Sequence, residues 1–212
     1  FFSICIIDGS GGFILYADTI NQKTSVGNTS PELIASLGAV PVIKVATVAK
    51  NLAHSPEEII TEALDGLRAR LNNFYVLRAR LITLRAVYSI SEKYPSKLAI
   101  NTNAQALARY SALAQESGMV PIVEPEVLMD GDHSAKTGLN KTSEVIKKCF
   151  DELFLHKIDL SGIILKPNMI LAGNKFKDKI SSEEVSQTTL DCLQDSVPSE
   201  VPAIAFLSGG PS

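Results

Sequence analysis

The chain has no marked excess of either charge: 20 basic residues stand against 23 acidic ones, for a formal net charge of -3. Nothing in that balance makes the footprint of a nucleic-acid binder or of a protein drawn to anionic lipid, so neither nucleic acid nor membrane is expected as a partner. Cysteines are few. Cys5, Cys149 and Cys192 are odd in number and far apart, which argues against a disulfide framework or a zinc site and for free thiols in a reducing compartment. No apolar run reaches the length needed to cross a bilayer. The opening stretch Phe1-Phe2-Ser3-Ile4-Cys5-Ile6-Ile7 is apolar, but it lacks a basic start and a small-residue cleavage site, so it is not read as a signal peptide. Low-complexity tracts and short-period repeats are missing too. So is a G-x-G-x-x-G after the first strand, which leaves a dinucleotide-binding doubly wound sheet without its usual support.

What is present is an ordinary globular composition, 45% hydrophobic and 20% charged over 212 residues, enough for one domain with a substantial core over residues 1–212. Short apolar strands are expected to begin near residues 13, 41, 84, 119, 162 and 203. Helical patterns lie between most of them: a short piece from Pro31 to Ser36 stopped by Gly38, about Asn103 to Ser117 stopped by Gly118, and about Lys141 to His156. Two S-x-x-E boxes mark helix starts. Ser55-Pro56-Glu57-Glu58 predicts a helix running through Ile59, Ile60, Ala63, Leu64, Leu67 and Leu71, and Ser181-Ser182-Glu183-Glu184 predicts one ending before Pro198. Strands alternating with helices imply parallel βα units and an α/β fold. The spacing suits a (β/α) barrel, but only six strands can be counted where a complete barrel has eight and typically about 250 residues.

One stretch concentrates the chemistry. Ser161-Gly162-Ile163-Ile164-Leu165-Lys166-Pro167 reads as a buried strand ended by a proline, which sets Lys166 at a C-terminal strand end, where barrels do their chemistry. Partial desolvation favours a neutral amine, which can attack a carbonyl and form a Schiff base; the bland alternative is a lysine snorkelling to solvent. Glu124 and Glu126 lie two apart on a strand and share a face. Side by side they should separate in acidity and serve as acid and base, or else form a solvated acidic rim. Lys44 and Arg85 sit near strand ends and could hold an anionic substrate group, or pair with Glu124 or Glu126 instead. Ser208-Gly209-Gly210 could cradle a phosphate with backbone N–H groups, or be a plain turn. His133, after Asp130-Gly131-Asp132, reads as a turn residue satisfied by its neighbours rather than a base, and the two aspartates begin a calcium-loop pattern that the following residues do not complete.

Taken together, Val120-Pro121-Ile122-Val123-Glu124-Pro125-Glu126-Val127-Leu128, Asp130-Gly131-Asp132-His133, Leu165-Lys166-Pro167-Asn168-Met169 and Phe206-Leu207-Ser208-Gly209-Gly210 resemble the class I fructose-1,6-bisphosphate aldolase family, with equal spacing from Glu124 to Lys166 and from Lys166 to Ser208. Weaker similarity covers nearly all the rest. The resemblance implies a TIM barrel, a cytoplasmic glycolytic enzyme usually built as a homotetramer, and a sugar phosphate substrate with no cofactor and no metal. It implies roles as well. Lys166 matches the Schiff-base lysine, Glu124 the glutamate that moves protons during carbinolamine formation and dehydration, and Glu126 a carboxylate that sets the charge around the lysines. Ser208 and Gly209 match part of the phosphate loop, and Lys44 and Arg85 match basic residues of the substrate cleft.

The departures are specific. The family carries a lysine where this chain has Thr83, an aspartate where it has Ala46, and a glutamine where it has Pro211. The family's first strand would lie before Phe1 and its last after Ser212, so the chain is expected to hold six of eight barrel strands, as a fragment or a diverged relative with reduced turnover. The alternative from another class is a non-catalytic aldolase-like protein kept for binding or as a scaffold. Thr83 and Ala46 favour it; Glu124, Lys166 and Ser208 speak against it.

Overall fold

Apolar and β-branched residues fill the runs from Leu81 to Tyr88 and from Val120 to Val127. Both are strands buried on their two faces in the computed structural model, which describes residues 12–206 apart from 18, 21 and 24–26. In chain order the elements are β1 Gly12–Tyr16, α1 Ser30–Ser36, β2 Val40–Lys44, β3 Val48–Leu52, β4 Ser55–Glu62, α2 Leu67–Val76, β5 Leu81–Tyr88, α3 Lys97–Glu116, β6 Val120–Val127, α4 Ala135–Leu155, β7 Ile164–Leu165 and α5 Ser182–Ser196. The main sheet is parallel with the order β1-β2-β5-β6-β7. A sixth segment joins it through a parallel bridge between Leu165 and Ile204, with Ala205 N donating to the Leu165 carbonyl at 2.9 Å. The order follows the chain and never reverses. A doubly wound sheet must reverse at its switch point; an order that only advances, with a helix in every crossover, is the wall of a barrel.

Hydroxyl caps start four of the five described α-helices, all but α2. Thr29, Ser96, Ser134 and Ser181 each accept a backbone N–H of the first turn, and Thr29 and Ser181 complete capping boxes with Glu32 and Glu184. Two caps extend the helices beyond the expected bounds: α3 begins at Lys97 rather than near Asn103, and α4 at Ala135 rather than near Lys141. On α3, the Tyr110 hydroxyl donates to the Ile82 carbonyl at 2.6 Å and reaches the Ile122 carbonyl at 3.3 Å, so one buried side chain ties the helix to β5 and β6.

The expected helix from Ser55 to Leu71 is not there. Ser55–Glu62 is β4, paired antiparallel with β3 in a separate two-stranded sheet, and the helix begins only at Leu67. Ser55 does accept the company of Glu58, its Oγ donating to Glu58 Oε2 at 2.8 Å, but the carboxylate is then taken by Ser96 N at 2.7 Å and Ser96 Oγ at 2.5 Å. A tertiary contact has captured the residue that would have closed the capping box. Ile59, Ile60 and Thr61 suit a strand, the β3–β4 register shifts after Asn51, and Asp65-Gly66 with Gly66 at φ 60 breaks the chain before α2.

Three smaller differences concern strand ends. β5 starts at Leu81 instead of Leu84, and the Lys166 stretch is a strand only at Ile164–Leu165, with Leu160–Gly162 coiled in a 3₁₀ turn. The last apolar run gives a bridge rather than a full strand, and Leu207, Ser208, Gly209 and Gly210 lie outside the described residues. No described helix is long and apolar enough to cross a membrane.

Prolines thin one seam of the sheet. In a parallel strand, alternate residues direct their N–H and C=O groups to opposite neighbours. Val120 N and Leu128 N donate to Arg80 and Tyr88 carbonyls on the β5 side, while the Val123 carbonyl accepts Lys166 N on the β7 side. Pro121 and Pro125 therefore fall on the β7 side, where their missing N–H groups cost the β5–β6 ladder nothing. The β6–β7 ladder shrinks to two residue pairs, Ile122 with Ile164 and Val123 with Leu165.

Candidate active site

The registers decide which side chains meet. Lys44 stands opposite Thr83, and Arg85 opposite Glu124. Lys166 N bonds to the Val123 carbonyl at 2.8 Å, which sets Lys166 beside Glu124 on the next strand. Residues directly opposite one another, or two apart on a strand, share a face. Lys44, Thr83, Arg85, Glu124, Glu126 and Lys166 thus project from one face of the sheet.

At the centre is a buried ion pair. The Lys166 ammonium donates to Glu124 Oε2, and the Thr83 hydroxyl donates to Glu124 Oε1. Lys166, Glu124 and Thr83 are 6%, 4% and 2% exposed. At that depth neither charge could stand alone, and each is the other's compensation. The arrangement refines the expected neutral amine: the proton must leave Lys166 before the nitrogen can attack, and the carboxylate placed to take it is already in contact.

Beside it lies a second, more open pair. Arg85 Nε donates to Glu126 Oε2 at 2.5 Å and Nη2 to Oε1 at 2.7 Å, a two-pronged geometry. Glu124 and Glu126 share a face, as expected, but they are not a pair dividing one proton between them. Each has a cation of its own, because Lys166 and Arg85 sit on the flanking strands at the same level.

The two pairs border a cavity of about 350 Å³ whose wall includes Arg85, Glu126, Lys166, Asn168, Met169 and Phe206. Lys44 does not line it; its ammonium lies 5.3 Å from the centre of the Tyr16 ring, an edge-of-site position held by a cation–π contact. Ser208 and Gly209 lie outside the described residues. His133 is buried at the back of the Asp130–His133 loop. Its carbonyl accepts Gly173 N at 2.8 Å, but among the described residues its ring Nδ1 has no hydrogen-bond partner, and burial lowers its pKa. The expectation that neighbours satisfy it holds for its backbone only: the ring packs against Gly131 and Gly138, which offer no side chain. Asp130 accepts the Asn174 side-chain amide at 3.3 Å.

Thr83 was legible as a substitution but not as a hydrogen-bond donor to Glu124, and Asn168 was legible only as part of a motif. The signal for Asn168 was the pair Pro121 and Pro125 on the neighbouring strand, which thin the β6–β7 ladder and leave backbone groups in need of a side-chain partner.

The comparisons agree with this geometry. The family model for fructose-bisphosphate aldolase class-I matches residues 5–212. A probable fructose-bisphosphate aldolase class 1 from Xanthomonas campestris pv. campestris is 46% identical over 203 residues, covering 96% of this chain and 61% of the relative. The cytosolic fructose-bisphosphate aldolase 4 of Arabidopsis thaliana is 41% identical over 201 residues, covering 95% of this chain and 51% of the relative. Among solved structures, fructose-bisphosphate aldolase from Plasmodium falciparum, in a complex with TRAP and a small-molecule inhibitor, superposes with a TM-score of 0.91 at 36% identity, covering 94% of this chain and 58% of that one. The chain spans about three-fifths or less of the length of these relatives.

Proposed function

The chain belongs to the class I fructose-bisphosphate aldolase family, and on that premise we propose that Lys166 forms a Schiff base with a ketose phosphate and that the protein cleaves fructose 1,6-bisphosphate to dihydroxyacetone phosphate and glyceraldehyde 3-phosphate, reversibly. The observation that carries the reading is the buried amine of Lys166 in contact with a single carboxylate at the wall of a cavity large enough for a sugar phosphate. A scaffold protein has no need of such a pair, since a buried ion pair does little for stability that apolar residues would not do.

The steps follow from the contacts. Glu124 takes a proton from Lys166, the freed amine adds to the C2 carbonyl, and a proton passes from the new C–N nitrogen to the carbonyl oxygen to give a neutral carbinolamine. Glu124 returns its proton to that hydroxyl, water leaves, and a protonated imine remains. With Glu124 again anionic, it accepts the proton of the C4 hydroxyl. The C3–C4 bond breaks, its electron pair moves into the imine as an enamine, and the aldehyde departs. Protonation of the enamine carbon and hydrolysis free Lys166. Arg85, paired with Glu126 on the cavity wall, is the cation we assign to a substrate phosphate. Ser208, Gly209 and Lys44 enter the phosphate-binding role on the family resemblance. Thr83 supplies a neutral donor where the family has a lysine, so we expect turnover below that of relatives carrying the cation.

The cytosol is the compartment this reading gives, in line with two Arabidopsis relatives whose names place them there. A homotetramer is the assembly the family resemblance suggests, and light scattering of the purified chain tests it. The chemistry is tested by incubation with dihydroxyacetone phosphate, borohydride reduction and peptide mapping. An adduct on Lys166 that vanishes in Lys166→Ala is the expected result. A folded protein without an adduct would overturn the proposal in favour of a binding role.

A further inference from the structure

The β6–β7 seam carries the Lys166–Glu124 pair, yet its ladder is only two residue pairs long. Pro121 and Pro125 remove donors from β6 on this side, while Pro167, with the parity of Leu165, faces the segment around Ala203 and Ala205. Val127 N points across the same seam as Val123, with no strand opposite to receive it. It is received instead by a side chain: Asn168 Oδ1 accepts Val127 N–H at 2.9 Å. The other end of that amide is fixed as well. Asn168 Nδ2 donates to Thr142 Oγ1 on α4 at 3.0 Å and to the Met169 carbonyl at 3.0 Å. Thr142 is 1% exposed, so this anchor is buried away from solvent.

We infer that Asn168 is a positioning residue for the site, a side-chain rung that closes the seam between β6 and β7 beyond the point where prolines end the ladder. Two residues before it stands Lys166; next to its partner Val127 stands Glu126, gripped by Arg85. The Asn168 amide fixes the span across the cavity from the reactive amine to the Arg85–Glu126 pair. A backbone ladder would have done this through regular pairing. Here one amide, tied to a third element through Thr142, sets the distance. Geometry of this kind matters because an ångström of misplacement costs on the order of 100-fold in a reaction that depends on aligned groups.

The role of Lys166 as nucleophile belongs to the proposed function, and the test separates the two ideas. Asn168→Leu keeps the branching at Cγ and removes every side-chain hydrogen bond; Asn168→Asp keeps an acceptor for Val127 N–H and lets the Thr142 hydroxyl turn to donate. Three quantities are read on each folded variant: amide exchange at Val127, labelling of Lys166 by trinitrobenzenesulfonate, and the rate of borohydride-trapped adduct formation at saturating dihydroxyacetone phosphate. In Asn168→Leu, Val127 should lose protection, Lys166 should label faster, and trapping should slow by on the order of 10–100-fold. Asn168→Asp should recover Val127 protection and most of the trapping rate. Unchanged exchange at Val127, or unchanged Lys166 labelling, in Asn168→Leu would overturn the inference. If the wild-type chain forms no adduct at all, the Schiff-base reading fails, while exchange and labelling still decide whether Asn168 positions Lys166.

Discussion

Thr83 fills its place in the site with a hydroxyl that Glu124 accepts, so the buried cluster holds one cation and one anion. A second ammonium at that position would compete for Glu124 and disfavour the charged form of its neighbour, giving more free amine at neutral pH. Thr83→Lys should therefore raise the rate of adduct formation by on the order of tenfold or more, and Thr83→Val, which leaves Glu124 Oε1 without its donor, should lower it by on the order of tenfold. Stopped trapping at fixed pH reads both; no gain in the lysine variant would mean the hydroxyl is already optimal. The cysteines give an independent check on burial. Burial pushes the Cys149 thiol up to about 12, and burial also raises that of Cys192. Since the thiolate is the reactive form, a Cys5→Ser variant should show no thiol reactive to an aromatic disulfide at pH 8 while folded, and two after denaturation.

Among the elements, the β3–β4 hairpin is tied down by Thr61 Oγ1 donating to the Arg85 carbonyl at 2.8 Å, by Asn103 Nδ2 donating to the Ile59 carbonyl at 3.0 Å, and by one buried carboxylate. Glu58, 6% exposed, receives Ser55 Oγ, Ser96 N and Ser96 Oγ, and so pins the hairpin to the start of α3 without a cation. Truncation would orphan a helix N-terminal N–H and two hydroxyls. Glu58→Ala should cost about 2–3 kcal/mol in urea unfolding, and Glu58→Gln distinctly less, since it keeps an acceptor. The loop after β6 depends on pH in a definite direction. Gly173 N, Asn174 N and Lys175 N donate to the His133, Met129 and Gly131 carbonyls, each at 2.8 Å, strapping it to the segment beyond β7. Burial holds the buried His133 ring below its ordinary 6.5, with nearby Asp132 opposing. The unfolded chain therefore takes up this proton first. Its contribution is fully present above about pH 6.5 and is lost as the pH falls toward the folded value, at no more than about 1.4 kcal/mol per pH unit for one proton. His133→Asn should flatten that part of the stability curve; an unchanged slope would assign it to other groups.

Across the whole molecule, one hydrophobic cluster runs from Leu15 on β1 through Ile82, Tyr110, Val123 and Ile146 to Leu193 on α5. With no tryptophan in the chain, unfolding is followed by far-ultraviolet and tyrosine near-ultraviolet circular dichroism. A shared core predicts that both report one coincident transition, as the reading of residues 1–212 as one domain requires. Two separated transitions would divide the chain into units.

The order of the main-sheet strands was readable in the sequence because apolar runs and turn residues are local signals, and the motif residues around Glu124, Lys166 and Ser208 carried the family likeness on their own. Local signals also misled where a distant partner outbid them. Ser55-Pro56-Glu57-Glu58 reads as a helix start until Ser96, far along the chain, claims the Glu58 carboxylate and leaves the segment to pair as a strand. The sequence named the charged residues of the site; it could not say how they would pair. That was decided by register, which sets Lys166 beside Glu124 and Arg85 within reach of Glu126, and by prolines that shorten one ladder and hand its last rung to Asn168. Pairing between strands is a property of the assembled sheet, since no residue carries its neighbour's position in its own identity.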